Sequence, residues 1–198
     1  GDVKFGDDDM LWLTVGDDSK ATEAQDTESM YGSVLRLDVR DVDYPFPGYN
    51  IPEGNAFELP VGQPNYHCGD EITNPYNCPE IWSWGFRNAW RWSFDPANPN
   101  RLWVGDVGYN DWEEVSIVEA GKNYGWGCFE GTHVNELSTI PCIGPFEPPV
   151  FDYPHAGSNA AVIGGFVYRG SDIPALIGRY VFADVMTGRI YAITDDGQ

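Results

Sequence analysis

Basic residues are scarce in this sequence: 11 Lys and Arg stand against 31 Asp and Glu, a formal charge of −20. Because the acidic excess is spread along the chain, nucleic acid is excluded as a partner; phosphate backbones need a concentrated positive surface. The charge suits an extracellular surface or one that takes up divalent cations, and equally a chain kept soluble by self-repulsion. Long apolar runs are missing too. Gly, Pro or charge interrupts every stretch well short of the roughly 20 residues of a membrane-crossing helix. The sequence opens at Gly1 without an initiator Met or a signal-peptide pattern, and it holds no Asn-x-Ser/Thr acceptor, so the cysteines must indicate the compartment.

Helical periodicity is almost absent. Only 21–31 is even a short polar candidate, and no window repeats apolar residues at three and four. Short apolar segments bounded by Gly, Pro, Asn and Asp predict strands instead, at 10–15, 33–39, 90–94, 101–104, 114–118, 162–168, 180–182 and 189–193. The fold class is therefore all-β. With 42% hydrophobic and 15% aromatic residues among 198, there is material for a sizeable core.

Two segments repeat. Phe5-Gly-Asp-Asp-Asp-Met-Leu-Trp-Leu-Thr-Val-Gly-Asp lies over Phe94-Asp-Pro-Ala-Asn-Pro-Asn-Arg-Leu-Trp-Val-Gly-Asp, each running Phe, acidic turn, Leu-Trp, Gly-Asp. Arg179-Tyr-Val-Phe-Ala-Asp with Thr187-Gly-Arg-Ile-Tyr-Ala-Ile has the shape of the last two strands of a further unit. Repeated four-stranded units are what a β-propeller blade requires, the other reading being a sandwich with similar hairpins. At roughly 40–60 residues per blade, about three to four blades are present. That does not close a ring.

The four cysteines form two close pairs without zinc-ligand spacing. Of three connectivities, proximity favours Cys68 with Cys78 and Cys128 with Cys142, which places the chain in an oxidising, extracellular compartment. Reduced, buried thiols are the other reading.

The densest stretch runs Pro79-Glu-Ile-Trp, Gly85-Phe-Arg-Asn, Gly105-Asp-Val-Gly, Glu113-Glu and Asn123-Tyr-Gly-Trp. In this order the motifs resemble the glucose/sorbosone dehydrogenase family. Phe5–Asp18, Gly32–Asp38, Gly164-Gly-Phe-Val-Tyr-Arg-Gly and Tyr180-Val-Phe-Ala-Asp extend the resemblance over nearly all of 1–198. It implies part of a six-bladed propeller lacking its N-terminal blades, in a family whose characterised enzymes oxidise sugars with calcium-held pyrroloquinoline quinone. Hedgehog-interacting relatives share the fold without that demonstrated activity, so a non-catalytic module binding carbohydrate or protein through its loops is the alternative.

By the same resemblance Arg87 and Asn88 match the pair that faces the cofactor, while Tyr124 and Trp126 match aromatic positions near its ring. A flat tricarboxylate does need a guanidinium fork and an aromatic face. An ion-paired Arg87 and aromatic blade packing are the competing structural expectations. Calcium is expected on carbonyls of the loop written Gly108-Tyr109-Asn, where Tyr109 replaces the family's usual Pro and removes its φ constraint. Asp17, Asp106 and Asp184 recur after strands, where capping of backbone N–H groups is favoured over cation binding. The family's general base, a His, belongs to a phrase of which Gly1 matches the last residue. None of His67, His133 and His155 matches that position, so no catalytic residue is assigned.

Overall fold

Alternating burial sets the sheets. Along Leu11–Val15, Trp12 and Thr14 are buried while Leu11, Leu13 and Val15 are half-buried, as a strand with two unlike faces requires. The computed structural model describes residues 1–40, 48–59, 61–62, 66–69, 76–136, 138–155 and 159–198. Two four-stranded antiparallel meanders and a three-stranded sheet succeed one another along the chain.

The first comprises β1 (Val3–Phe5), β2 (Leu11–Val15), β3 (Ser33–Leu37) and β4 (Ile81–Trp84). The second has β5 (Ala89–Asp95), β6 (Asn98–Asp106) and β7 (Trp112–Val118). It ends in β10 (Phe151–Pro154), after an excursion bearing the hairpin of β8 (Phe129–Glu130) and β9 (His133–Val134). The third joins β11 (Val162–Val167), β12 (Tyr180–Asp184) and β13 (Ile190–Ile193). These are blades of a β-propeller, three among the described residues.

Consecutive blades share cores, which explains the repeat. Trp12 of β2 packs towards the second sheet in a cluster with Val34, Trp92, Leu102, Val104 and Val118. Its counterpart Trp103 in β6 packs one sheet further on, stacked on Tyr180 at 4.5 Å beside Val162 and Phe182. Each indole is a wedge between its own blade and the next, and burial of such a ring contributes several kcal/mol of order. At Leu35 and Ile81 the first sheet packs against Phe57 and the two cysteines Cys68 and Cys78. Both expected disulfides, Cys68–Cys78 and Cys128–Cys142, are formed.

All eight predicted strands are present. The one expected at 101–104 is longer, because β6 pairs from Asn98 through Asp106 across its hairpin with β5. Five short strands were not anticipated: β1, β4, β8, β9 and β10. The polar stretch 21–31 contains only the 3-10 turn Glu23–Gln25.

Candidate functional site

β2, β4 and β6 all deliver their C-terminal ends to one side of the sheets, and the loops that follow them converge. The 85–88 loop is tied on both flanks: the Asp17 N–H donates to the Arg87 carbonyl (2.9 Å), and the Asp106 carboxylate accepts the N–H groups of Arg87 (2.9 Å) and Asn88 (2.6 Å). Gly85 opens this loop at φ +85°, where an added Cβ would lie 2.2 Å from the Asn123 side chain. Only glycine serves there.

Arg87 is held by backbone carbonyls rather than by a salt bridge. Its Nη1 donates to the carbonyls of Val107 (2.9 Å) and Gly108 (2.6 Å), and its guanidinium lies 5.2 Å from the Tyr109 ring and 5.8 Å from the Trp126 ring. No carboxylate among the described residues pairs with it. The result is a cation gripped by carbonyls at one nitrogen and flanked by two aromatic faces, with its remaining N–H groups free for an anion. The side-chain amide of Asn88 makes no hydrogen bond among the described residues and sits against Gly16.

Trp126 is buried, and its indole N–H donates to Asp17 Oδ2 at 2.8 Å; Gln25 donates to its carbonyl at 2.9 Å. Tyr109 is 61% exposed and 6.4 Å from Trp126, ring centre to ring centre. Tyr124 stands apart from this group. It is stacked on Phe86 at 4.7 Å within the inter-blade core, and its hydroxyl donates to the Ile117 carbonyl and accepts from the Glu119 N–H. Burial raises its phenol pKa, which fits a packing side chain.

The loop at Gly108 is fixed by a residue that the sequence did not single out for it. Glu130 Oε1 accepts the consecutive N–H groups of Tyr109, Asn110, Asp111 and Trp112, at 2.6, 2.9, 3.0 and 3.2 Å. Gly108 passes so close to Trp112 that a Cβ would fall 1.6 Å from its carbonyl oxygen. The arrangement is an anion-filled nest of backbone amides.

Behind it, Asp106, Glu114 and Asp152 lie side by side across β6, β7 and β10. Glu114 accepts from the Gly131 N–H (2.6 Å) and Asp152 from the Thr132 N–H (2.7 Å). Burial pushes Asp106 up to about 7, against the pull of its two backbone N–H bonds, and burial next to Asp106 raises Glu114 well above the usual carboxylate range. Asp17, Asp106 and Asp184 each cap backbone N–H groups, Asp17 that of Ser19 and Asp184 those of Ala161 and Thr187.

No histidine joins Arg87. His155 contacts the buried Glu113 at 2.8 Å, His133 stacks on Trp112 at 3.7 Å, and His67 lies 3.6 Å from Glu80. Among the described residues no helix is long and apolar enough to cross a membrane.

Residues 1–198 match the family model described as glucose/sorbosone dehydrogenase. The HIPL2 protein of Arabidopsis thaliana is 33% identical over 97% of the chain, and the hedgehog-interacting protein of Homo sapiens is 28% identical over 93%. The chain spans only 29% and 23% of the length of those two proteins. Among solved structures, the quinone-bound form of the aldose sugar dehydrogenase of Streptomyces coelicolor superposes with a TM-score of 0.66 at 22% identity, covering 98% of this chain and 44% of that one. The match along the whole chain shows that it belongs to the glucose/sorbosone dehydrogenase family.

Proposed function

We propose that this chain forms part of an extracellular propeller that binds pyrroloquinoline quinone with calcium and oxidises sugars. The observation that carries the reading is Arg87: a guanidinium with no salt bridge among the described residues, clamped at one nitrogen and lying near the rings of Tyr109 and Trp126. A flat tricarboxylate needs such a fork and such faces, so the residues present fit the quinone. When bound, that group would accept the two electrons of sugar oxidation.

Arg87 would hold a cofactor carboxylate, the Asn88 amide would donate to an adjacent oxygen, and Trp126 would wall the ring. Tyr124 would act one layer behind, through Phe86. The Gly108 carbonyl keeps a second lone pair beside its bond to Arg87, and with the Tyr109 carbonyl it offers a calcium ion hard oxygen donors. The Asp106 and Glu130 carboxylates are already engaged by backbone N–H groups, so these carbonyls are the available ligands. The reading also requires a base for the sugar hydroxyl proton, which none of the three histidines supplies at this site. Both disulfides support an oxidising compartment.

The second reading is a recognition module without redox chemistry. It is favoured by Tyr109, exposed beside Arg87, and by Val134, exposed on β9. The human relative's name states interaction with hedgehog, and a protein partner belongs to this reading.

Titration with the quinone and calcium, followed by cofactor absorbance and by dye reduction with a panel of aldoses, separates the two. Saturable, calcium-dependent binding with sugar oxidation, both abolished by Arg87→Ala, is the expected result. A folded protein that neither binds quinone nor oxidises sugar leaves the recognition module.

A further inference from the structure

The carbonyl that the proposed calcium ion would share already carries a cation. Arg87 Nη1 donates to the Gly108 oxygen at 2.6 Å and to the Val107 oxygen at 2.9 Å. Glu130 sets the direction of the carbonyls that follow. In a trans peptide the C=O and the next N–H point opposite ways. The N–H groups of Tyr109, Asn110, Asp111 and Trp112 converge on Glu130 Oε1, so the carbonyls of Gly108, Tyr109, Asn110 and Asp111 turn away from it. The guanidinium stands on the side to which the first of these, that of Gly108, turns.

Two cations on one oxygen oppose each other. Calcium binds carbonyl oxygens at about 2.3–2.6 Å, so an ion on the second lone pair of Gly108 would lie within about 5 Å of Arg87 Nη1. Arg87 is half-buried, and at that distance a single and a double charge repel strongly even at the effective dielectric of a protein surface. The neighbouring carboxylates are engaged elsewhere: Asp106 with the N–H groups of Arg87 and Asn88, Glu130 with the loop amides, Asp17 with the Ser19 N–H and the Trp126 indole. None of the three forms a salt bridge with the guanidinium. A carboxylate from a ligand would relieve the conflict, pairing with the remaining guanidinium N–H groups on one side and coordinating the ion on the other.

We propose that Arg87 makes calcium uptake at Gly108 depend on a bound carboxylate. Without the anion the guanidinium holds the Gly108 and Val107 carbonyls and opposes the ion; with it, both cations share the anion's charge. The inference rests on the quinone and calcium reading of this site and adds how the two are coupled. Coupling is reciprocal, so calcium strengthens the anion's binding by the same factor.

The test is calorimetric titration with calcium, first on the protein without quinone. Arg87→Ala removes the opposing charge and should bind calcium about tenfold or more tightly than the parent. Arg87→Gln, neutral and of similar length, should gain likewise and serves if the alanine variant fails to fold. Arg87→Lys keeps a cation and should stay near the parent. Saturating pyrroloquinoline quinone should then raise calcium affinity about tenfold or more in the parent and leave the two neutral variants unchanged. Calcium binding that is equal or weaker in the neutral variants than in the parent would overturn the proposal, and quinone binding with sugar oxidation by the same parent protein would leave the dehydrogenase reading standing. If the parent and every variant fail to bind calcium with or without quinone, both fall.

Discussion

The indole N–H of Trp126 donates to the Asp17 carboxylate over 2.8 Å, joining loops 109 positions apart in sequence. Asp17 also receives the Ser19 N–H, and its backbone N–H donates to the Arg87 carbonyl, so one buried residue ties the first blade to both loops through its side chain and its main chain. Asp17→Ala strands the indole donor and should cost about 1–3 kcal/mol. Thermal unfolding measures this, and Asp17→Asn, which keeps an acceptor, should recover part of it. An unchanged melting temperature in Asp17→Ala would show that the bond contributes nothing.

Glu130 makes a sharper case, because a single oxygen serves the four consecutive N–H groups of 109–112. Removing it in Glu130→Ala leaves those donors without a protein acceptor next to Gly108. Hydrogen exchange at Tyr109 to Trp112 should accelerate at least tenfold, roughly the effect of 1.4 kcal/mol in local opening. Glu130→Gln retains an amide oxygen and should lie between the two. Equal protection in all three proteins would mean that the loop is fixed by its own turn geometry.

These two residues also show where sequence reading stops. Strands with strong alternation, such as Leu11–Val15 and Tyr180–Asp184, were legible because period-two burial is written locally. β1 was not, since Val3 and Phe5 flank a lysine over three residues, and β10 carries two polar or proline positions in four. β4 lay in full view within Ile81-Trp-Ser-Trp, where the aromatic density read as chemistry. Arg87, Gly108, Tyr109 and Trp126, which only the resemblance singled out, lie together in the structure. Glu130 and Asp17 act on them from 18 to 21 and 109 positions away, distances over which composition and spacing carry no signal. The only available hint for Asp17 was its repetition as Asp106.

The Cys128–Cys142 bond closes a loop with a sequence separation of 14 on the excursion between β7 and β10, which also bears Glu130. Loop-closure entropy for about 15 residues is worth about 3 kcal/mol in the unfolded chain. Replacing both cysteines with serine should therefore lower the melting temperature by several degrees. It should also loosen the Glu130 contacts, visible as faster exchange at 109–112. A lower melting temperature without faster exchange would confine the role of the bond to global stability.

Asp106 gives the stability a pH dependence of uncommon sign. Burial raises its folded-state pKa to about 7, above the unfolded value near 3.8, so between those limits the folded protein binds more protons than the unfolded chain. Its stabilising contribution is thus complete below about pH 4 and is lost as pH rises through 7, with Glu114, also raised by burial, adding in the same direction. The slope is at most about 1.4 kcal/mol per pH unit for each proton. Asp38 acts the other way and elsewhere: the hydrogen bond from Arg40 holds it down to about 2, so its contribution is lost only as pH falls below about 4. Urea unfolding at pH 5, 6, 7 and 8 should show stability declining across the series. Asp106→Asn should be less stable at pH 5, where it loses an acceptor for one of the two backbone N–H groups, yet show a shallower decline. A profile that rises from pH 5 to 8 in the parent protein would mean that Asp106 stays ionised in the fold, held by the Arg87 and Asn88 amides.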